Sequence, residues 1–259
     1  MAELTRQRHG EVVEVWTIQG EARRNTLTRA LVAEVIGALQ AVESDRSLRC
    51  VILTGQGEKA FCAGADLKER SGMSVAEVQV WLDDLRKMTT SIERSRLPFI
   101  AALNGSAFGG GTELALACDL RVATETTEIA LTEVTLAIIP GAGGTQRLPR
   151  LVGLGIATEL ILTGRRVPAG EALRIGLVNR VAPEGHAVAE ALKLAEALAG
   201  NGPVAIAAAK AALQLGTSLP IDAGLDLERR QYERTLATTD RLEGIAAFRE
   251  KRKPVYRGE

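Results

Sequence analysis

The sequence predicts an α/β fold followed by a helical region. Over the first 185 residues, short strand-like runs alternate with amphipathic helices at the spacing of crossover connections. From residue 186 to residue 259 the pattern turns almost wholly helical. With 259 residues, 46% of them hydrophobic and 3% aromatic, the chain can bury the core of one large domain with an appendage. The expected division is 1–185 for the core and 186–259 for the helical region.

The elements follow in chain order. Residues 11–19, EVVEVWTIQ, alternate and are rich in β-branched side chains, the mark of a strand. Thr28 can cap a helix that carries Leu31, Val35, Leu39 and Val42 on one face. CVILTG (50–55) is a short buried strand ending in glycine. Ser74 and Glu77 have the spacing of a capping box, opening a helix whose apolar stripe is Trp81, Leu85, Met88 and Ile92. FIAAL (99–103) and LRVAT (120–124) read as two more strands, separated by a glycine run and a helix. Pro203 suits the first position of a helix, and Asp240 with Glu243 is expected to open the last one.

Bulk properties exclude several function classes. Lys+Arg and Asp+Glu are equal at 32 each, so no global field draws the chain to nucleic acid or anionic membrane. Apolar runs fall short of the ~20 residues a membrane span needs, and the N-terminus lacks the apolar core of a secretory signal. Cys50, Cys62 and Cys118 are widely spaced among apolar or small residues, as reduced core thiols are, which points to the cytoplasm. With only His9 and His186 and no Cys-x-x-Cys, a dedicated transition-metal site is not expected.

Two glycine-rich stretches imitate nucleotide motifs and fail. TGQGEKA (54–60) follows a strand but is not followed by a helix, and GAGGTQR (141–147) lacks the Gly-Lys-Ser/Thr of a phosphate loop. No Gly-x-Ser-x-Gly elbow supports a serine nucleophile. What remains is AFGGGTELALACD (107–119), where Gly109, Gly110 and Gly111 run into Glu113 at the start of a helix. Glycine weakens a helix by ~1 kcal/mol relative to alanine, so three in a row ask for a reason. Their backbone N–H groups can approach a ligand closely and, at a helix start, have no intrahelical partners. Such groups suit a developing oxyanion. FCAGADLKER (61–70) offers a second turn of the same kind. Glu113 can equally serve the helix dipole alone. Glu133, an acid amid apolar IALTEVTLAIIP, reads either as a hydrogen-bonded strut or as a catalytic group with a raised pKa. Two carboxylates beside an oxyanion pocket suit acid–base chemistry with water.

FCAGADLKER, IAALNGSAFGGGTELALACD, TEVTLAIIPGAGGTQRLPRLVG and DRLEGIAAFREKRKPVYRGE resemble the enoyl-CoA hydratase (crotonase) superfamily, nearly end to end. The first three are closer still to its 3-methylglutaconyl-CoA hydratase branch. The resemblance implies a spiral of β-β-α turns with a C-terminal trimerisation region, forming a homotrimer or a dimer of trimers. It implies an oxyanion hole of Ala65 and Gly110 N–H, Glu113 and Glu133 as the catalytic acids, and Gly141 as a backbone donor that helps to place water. It also implies coenzyme A contacts at Arg23 and Arg24, at Ala63, Ala65, Asp66, Leu67 and Lys68, and at Phe248 and Lys251 on the last helix, reaching a neighbouring subunit. Without the resemblance Lys251 reads as a solvated helix end.

The implied reaction is hydration of the 2,3-double bond of an α,β-unsaturated acyl-CoA, with the thioester as substrate and no cofactor. On the closest branch, 3-methylglutaconyl-CoA becomes 3-hydroxy-3-methylglutaryl-CoA in leucine degradation; the alternative is a general short-chain hydratase of β-oxidation. A distal carboxylate calls for a cation near the acyl pocket, and Lys68, Arg70 and Arg147 are the candidates. One relative of this branch binds AU-rich RNA through a lysine-rich first helix. The matching segment here (26–49) has no lysine, and its arginines are offset by Glu34, Glu43 and Asp45, so no specific RNA binding is expected.

Overall fold

The structure is a computed structural model and describes residues 2–259. Its strands and helices form two sheets wound along one spiral. β1 (Glu3–His9) and β2 (Val13–Gln19) make an antiparallel hairpin, with Glu3 opposite Gln19 and His9 opposite Val13. After α1 (Arg29–Ser44), three turns of the spiral follow. The first contains β3 (Cys50–Gly55), β4 (Ala60–Cys62), α2 (Leu67–Ser71) and α3 (Val75–Arg94). The second contains β5 (Phe99–Leu103), β6 (Ser106–Phe108) and α4 (Gly110–Ala117). The third contains β7 (Leu120–Thr124), β8 (Glu128–Ala130), a 3-10 turn (Glu133–Leu136), α5 (Gly144–Val152) and α6 (Leu154–Thr163). β9 (Val167–Pro168), α7 (Ala169–Arg174) and β10 (Arg180–Ala182) complete the sheets.

Each turn gives one strand to each sheet. The larger sheet has the order β1-β2-β3-β5-β7-β10 and the smaller β4-β6-β8-β9. The larger sheet is parallel from β2 onward, and its central strands β3 and β5 are almost wholly apolar, as burial on both faces favours. One face packs on Trp81, Leu85, Met88 and Ile92 of α3 and on Leu31, Val35, Leu39 and Val42 of α1, the stripes the sequence marks.

Local signals explain most of the boundaries. Thr28 Oγ1 accepts from Leu31 N–H at 3.2 Å, and Ser74 with Glu77 forms the reciprocal capping box. Pro203 occupies the first turn of α9 (Pro203–Gly216). Three expectations are corrected. The N-terminal strand is a hairpin whose first arm, ELTRQRH, is polar because it is an exposed edge. Thr238 caps α11 (Thr239–Glu250), accepting from Arg241 N–H at 3.2 Å. Asp240 instead accepts from Arg257 and Gly258 N–H, while Glu243 takes Arg252 and Val255 N–H, so both acids pin the C-terminal tail.

The third concerns the boundary at 185. α8 (Ala187–Ala199) packs on the larger sheet, setting Ala187, Ala191 and Ala195 against Ile52, Ile100 and Val122. Small side chains let this helix lie close to the strands, so it closes the back of the core. The departing region is α9, α10 (Ile221–Leu236) and α11, in which α10 buries no residue. Leu213, Leu219, Ile221, Leu225 and Tyr232 leave an apolar face on the α9–α10 hairpin. Lys210 joins α9 to the core: its buried Nζ donates to the Leu97 carbonyl at 2.8 Å and to Asp119 at 2.7 Å. Among the described residues, no helix is long and apolar enough to cross a membrane.

Candidate active site

The three glycines of 109–111 have three different neighbours. Gly109 takes φ +52°, a conformation L side chains rarely adopt, and a Cβ there would sit 3.3 Å from Glu133 Oε1. At Gly110 a Cβ would touch Leu27 at 3.3 Å and approach Ala65 N at 3.7 Å, so the backbones of the two glycine-rich turns adjoin. At Gly111 it would overlap the Cys62 carbonyl, because α4 crosses close to β4. The start of α4 is tied down by Gly109 N–H to Ala130 C=O at 2.9 Å and by Thr112 Oγ1 within 2.8 Å of the Ala107 and Ala130 carbonyls. Its other end is stopped by buried Arg121, whose guanidinium donates to the Ala115 and Cys118 carbonyls.

The partner turn is held just as firmly. Leu27 N–H donates to Gly64 C=O at 2.8 Å and Asp66 N–H to Leu27 C=O at 3.0 Å. This pattern skips Ala65, whose N–H donates to no protein acceptor among the described residues. Gly110 N–H, at the first position of α4, is likewise free. Two unspent donors therefore lie side by side.

Glu113 sits one turn into α4, with its N–H bonded to Gly109 C=O at 3.0 Å, and is 2% exposed. Its Oε1 accepts from Ala142 N–H at 2.7 Å and from Gly144 N–H at 2.8 Å. Burial raises its pKa, against the pull of these donors and of Arg147. The GAGG stretch thus turns two N–H groups onto the chain's own carboxyl group. Gly141 begins this loop and rests against Leu82 of α3.

Glu133 opens the 3-10 turn after β8, and its Oε2 is buried without a hydrogen-bond partner among the described residues. Burial, with the Glu113 charge adding to it, pushes its pKa up to about 7, opposed by its own backbone N–H and by Arg70. Two buried acids that feel each other are thus in different settings. Glu113 is stabilised in its ionised form by N–H groups; Glu133 holds its proton near neutrality. Environments that separate two such groups are how acid and base roles are divided.

The other candidate residues fall in two places. Arg23, Arg24, Ala63, Ala65, Asp66, Leu67 and Lys68 form one surface beside the free donors. Ala63 N–H donates to Arg24 C=O at 3.0 Å, and Arg23 pairs with Asp66 at 3.2 Å. Asp66 also caps α2 through Lys68 and Glu69 N–H; burial works to raise its pKa, but these donors and Arg23 hold it below the usual carboxylate range. Its side chain is therefore occupied in shaping the turn. Arg24 and Asn25 both take left-handed backbone, at φ 55° and 56°. Asn25, absent from the sequence reading, anchors them by donating to the Gln56 and Ala60 carbonyls. Phe248, 86% exposed, lies on α11 and Lys251 follows its last residue; among the described residues α11 has no extensive packing against α4 or the Glu133 turn.

Of the three cations considered for a distal carboxylate, Arg147 is committed elsewhere. Its guanidinium grips Glu93 through Nε at 3.2 Å and Nη2 at 2.8 Å, and Nη1 donates to Ala142 C=O at 2.7 Å. Lys68 and Arg70 on α2 have no ion-pair partner among the described residues. Thr89 and Glu93 on α3 escaped the sequence reading; Thr89 is a polar residue set into the apolar stripe beside Leu85 and Met88, Glu93 looks like an ordinary surface acid, and only the folded chain places them at the loop.

Comparison with known proteins gives this geometry its class: the enoyl-CoA hydratase/isomerase family model matches residues 8–259, and the chain belongs to that family. A crystal structure of an enoyl-CoA hydratase from Bacillus anthracis superposes with a TM-score of 0.97 at 48% identity, covering 99% of this chain and 100% of that one. A Bacillus subtilis protein of the same enoyl-CoA hydratase/isomerase description is 48% identical over 242 residues, 93% of each chain. The human mitochondrial methylglutaconyl-CoA hydratase is 43% identical over 240 residues, 91% of this chain and 71% of that one.

Proposed function

We propose that the chain adds water across the 2,3-double bond of an acyl-CoA thioester, with 3-methylglutaconyl-CoA as its substrate. The carrying observation is the pairing of two free N–H donors, at Ala65 and Gly110, with two buried carboxylates of separated character, Glu113 and Glu133. The thioester oxygen accepts from the two N–H groups. Glu113 takes a proton from water as its oxygen bonds to C3, helped by the backbone at Gly141. Negative charge gathers on the thioester oxygen, where each donor is worth roughly 3–4 kcal/mol in comparable oxyanion holes. Neutral Glu133 delivers a proton to C2, and the pair re-equilibrates with solvent. The coenzyme A moiety lies along Arg23–Arg24 and Ala63–Lys68. Phe248 and Lys251 serve the same ligand in a second subunit, and the apolar α9–α10 face supports a trimer. Arg70, close enough to Glu133 to lower its pKa and lacking a partner of its own, is the cation best placed for the distal carboxylate.

The test is hydration of 3-methylglutaconyl-CoA and crotonyl-CoA side by side, alongside Glu113→Gln and Glu133→Gln. The expected preference for the former is tenfold or more in kcat/KM, ~1.4 kcal/mol of transition-state discrimination. Each variant should lose ~10²–10⁴ in turnover with thioester binding retained. A preference for crotonyl-CoA would make this a general short-chain hydratase; near-normal turnover in either variant would remove that residue from the chemistry.

A further inference from the structure

Among the arginines of the described ion pairs, Arg147, paired with Glu93, has the least exposed side chain. Arg147 is only 13% exposed at its side chain, and all three of its guanidinium nitrogens have a named acceptor. Two of them fix the guanidinium to α3 through Glu93. The third reaches the carbonyl of Ala142, whose own N–H donates to Glu113. Thr89, also on α3, brings its hydroxyl within 3.1 Å of the same carbonyl. Gly143, the next residue, takes φ +107°, and a Cβ there would collide with Arg147 Nη1. A side chain at Gly143 would therefore meet both a left-handed backbone and the guanidinium.

The geometry points to Arg147, anchored by Glu93, as a positioning residue for Glu113: it pulls the Ala142 carbonyl toward α3, so that the Ala142 and Gly144 N–H groups are turned onto the Glu113 carboxylate. A peptide loop of small residues has many ways to lie. With its carbonyl held on one side, the amide groups on the other are directed at one oxygen, leaving Glu113 Oε2 for water. The planar fork matters because it must span a carboxylate and a carbonyl at once; an ammonium group is a single point of charge. The positive charge also helps to keep Glu113 ionised.

This inference rests on the proposed role of Glu113, and its test keeps the two apart. Arg147→Gln, Arg147→Lys and Glu93→Gln are compared with the parent enzyme for kcat, KM and the pH profile of crotonyl-CoA hydration, after thermal melting confirms folding. Arg147→Gln is expected to lower kcat at least tenfold with KM within threefold, and to move the acid limb of the profile to higher pH. Arg147→Lys should restore the limb through its charge but not kcat, since it cannot make the fork. Glu93→Gln should lower kcat in the same direction by a smaller factor, and it decides the matter if Arg147→Gln does not fold. Folded variants with parental kcat and an unmoved limb would overturn the inference, as would a lower melting temperature with kinetics unchanged. A parent enzyme inactive on both thioesters would instead refute the proposed function.

Discussion

Glu133→Gln tests the electrostatics of the site without reference to any substrate. In the folded chain the Glu133 carboxyl titrates at about 7, against 4.5 for the free side chain. Between these two values the folded state holds a proton that the unfolded state has released, so stability falls as pH rises. Glutamine keeps the shape and cannot titrate. Integrating the proton difference between pH 5 and pH 8, the parent loses about 2.5 kcal/mol that the variant does not lose. Groups common to both chains, Glu113 and Asp119 among them, cancel to first order in the difference. The assay is urea denaturation of both proteins at pH 5 and pH 8, at one protein concentration because subunit association adds to stability. The variant should gain on the parent by that amount as pH rises. A difference that stays constant across the two pH values would mean that Glu133 titrates like an exposed acid, and the separation of roles between the two carboxylates would fail with it.

Two further perturbations probe the frame. Lys210→Met leaves Asp119 buried without its cation and should cost about 3 kcal/mol near neutral pH; the loss should shrink as pH falls, since burial has already raised the Asp119 pKa and the acid can take up a proton. Denaturation at two pH values reads both effects, and a loss independent of pH would refute the account. Gly111→Ala drives a methyl group into the Cys62 carbonyl, which is backbone and cannot rotate away; about 1–3 kcal/mol of destabilisation is expected, and an unchanged melting temperature would show that α4 can shift off β4.

Much of this was legible in the chain because the signals were local. Thr28, Ser74 with Glu77, and Pro203 mark helix starts by chemistry that acts over three or four residues. CVILTG, FIAAL and LRVAT stand out because strands buried on both faces are mostly apolar and β-branched. Polarity hid the edge strand ELTRQRH for the converse reason. Asp240 and Glu243 have the spacing of a capping box, yet their partners are tail residues 9 to 18 positions away, beyond the reach of a local pattern. Of the site, the glycine run with Glu113 and the lone acid Glu133 amid apolar residues could be read directly as candidates, and family resemblance supplied Ala65. Arg147 and Glu93 are 54 residues apart and meet only because the spiral returns the chain to α3. GAGGTQR lacks a phosphate loop's lysine, and that test cannot see a carboxyl group that the chain itself brings to the loop's N–H groups.

The three glycines that open α4 bear on how this gene can vary. Every single-base change in the first or second position of a glycine codon adds a side chain or ends the chain. At residue 111 the added atoms strike neighbouring backbone, so the lesion is one of protein abundance. At 110 they crowd Leu27 and the Ala65 amide, so the lesion is one of substrate recognition in a protein still present. At 109 they force a side chain onto left-handed backbone and press on the Glu133 carboxylate, and the lesion joins lost stability to impaired proton transfer. Three adjacent, identical letters would therefore segregate as three phenotypes, separable by immunoblot, by ligand binding and by turnover.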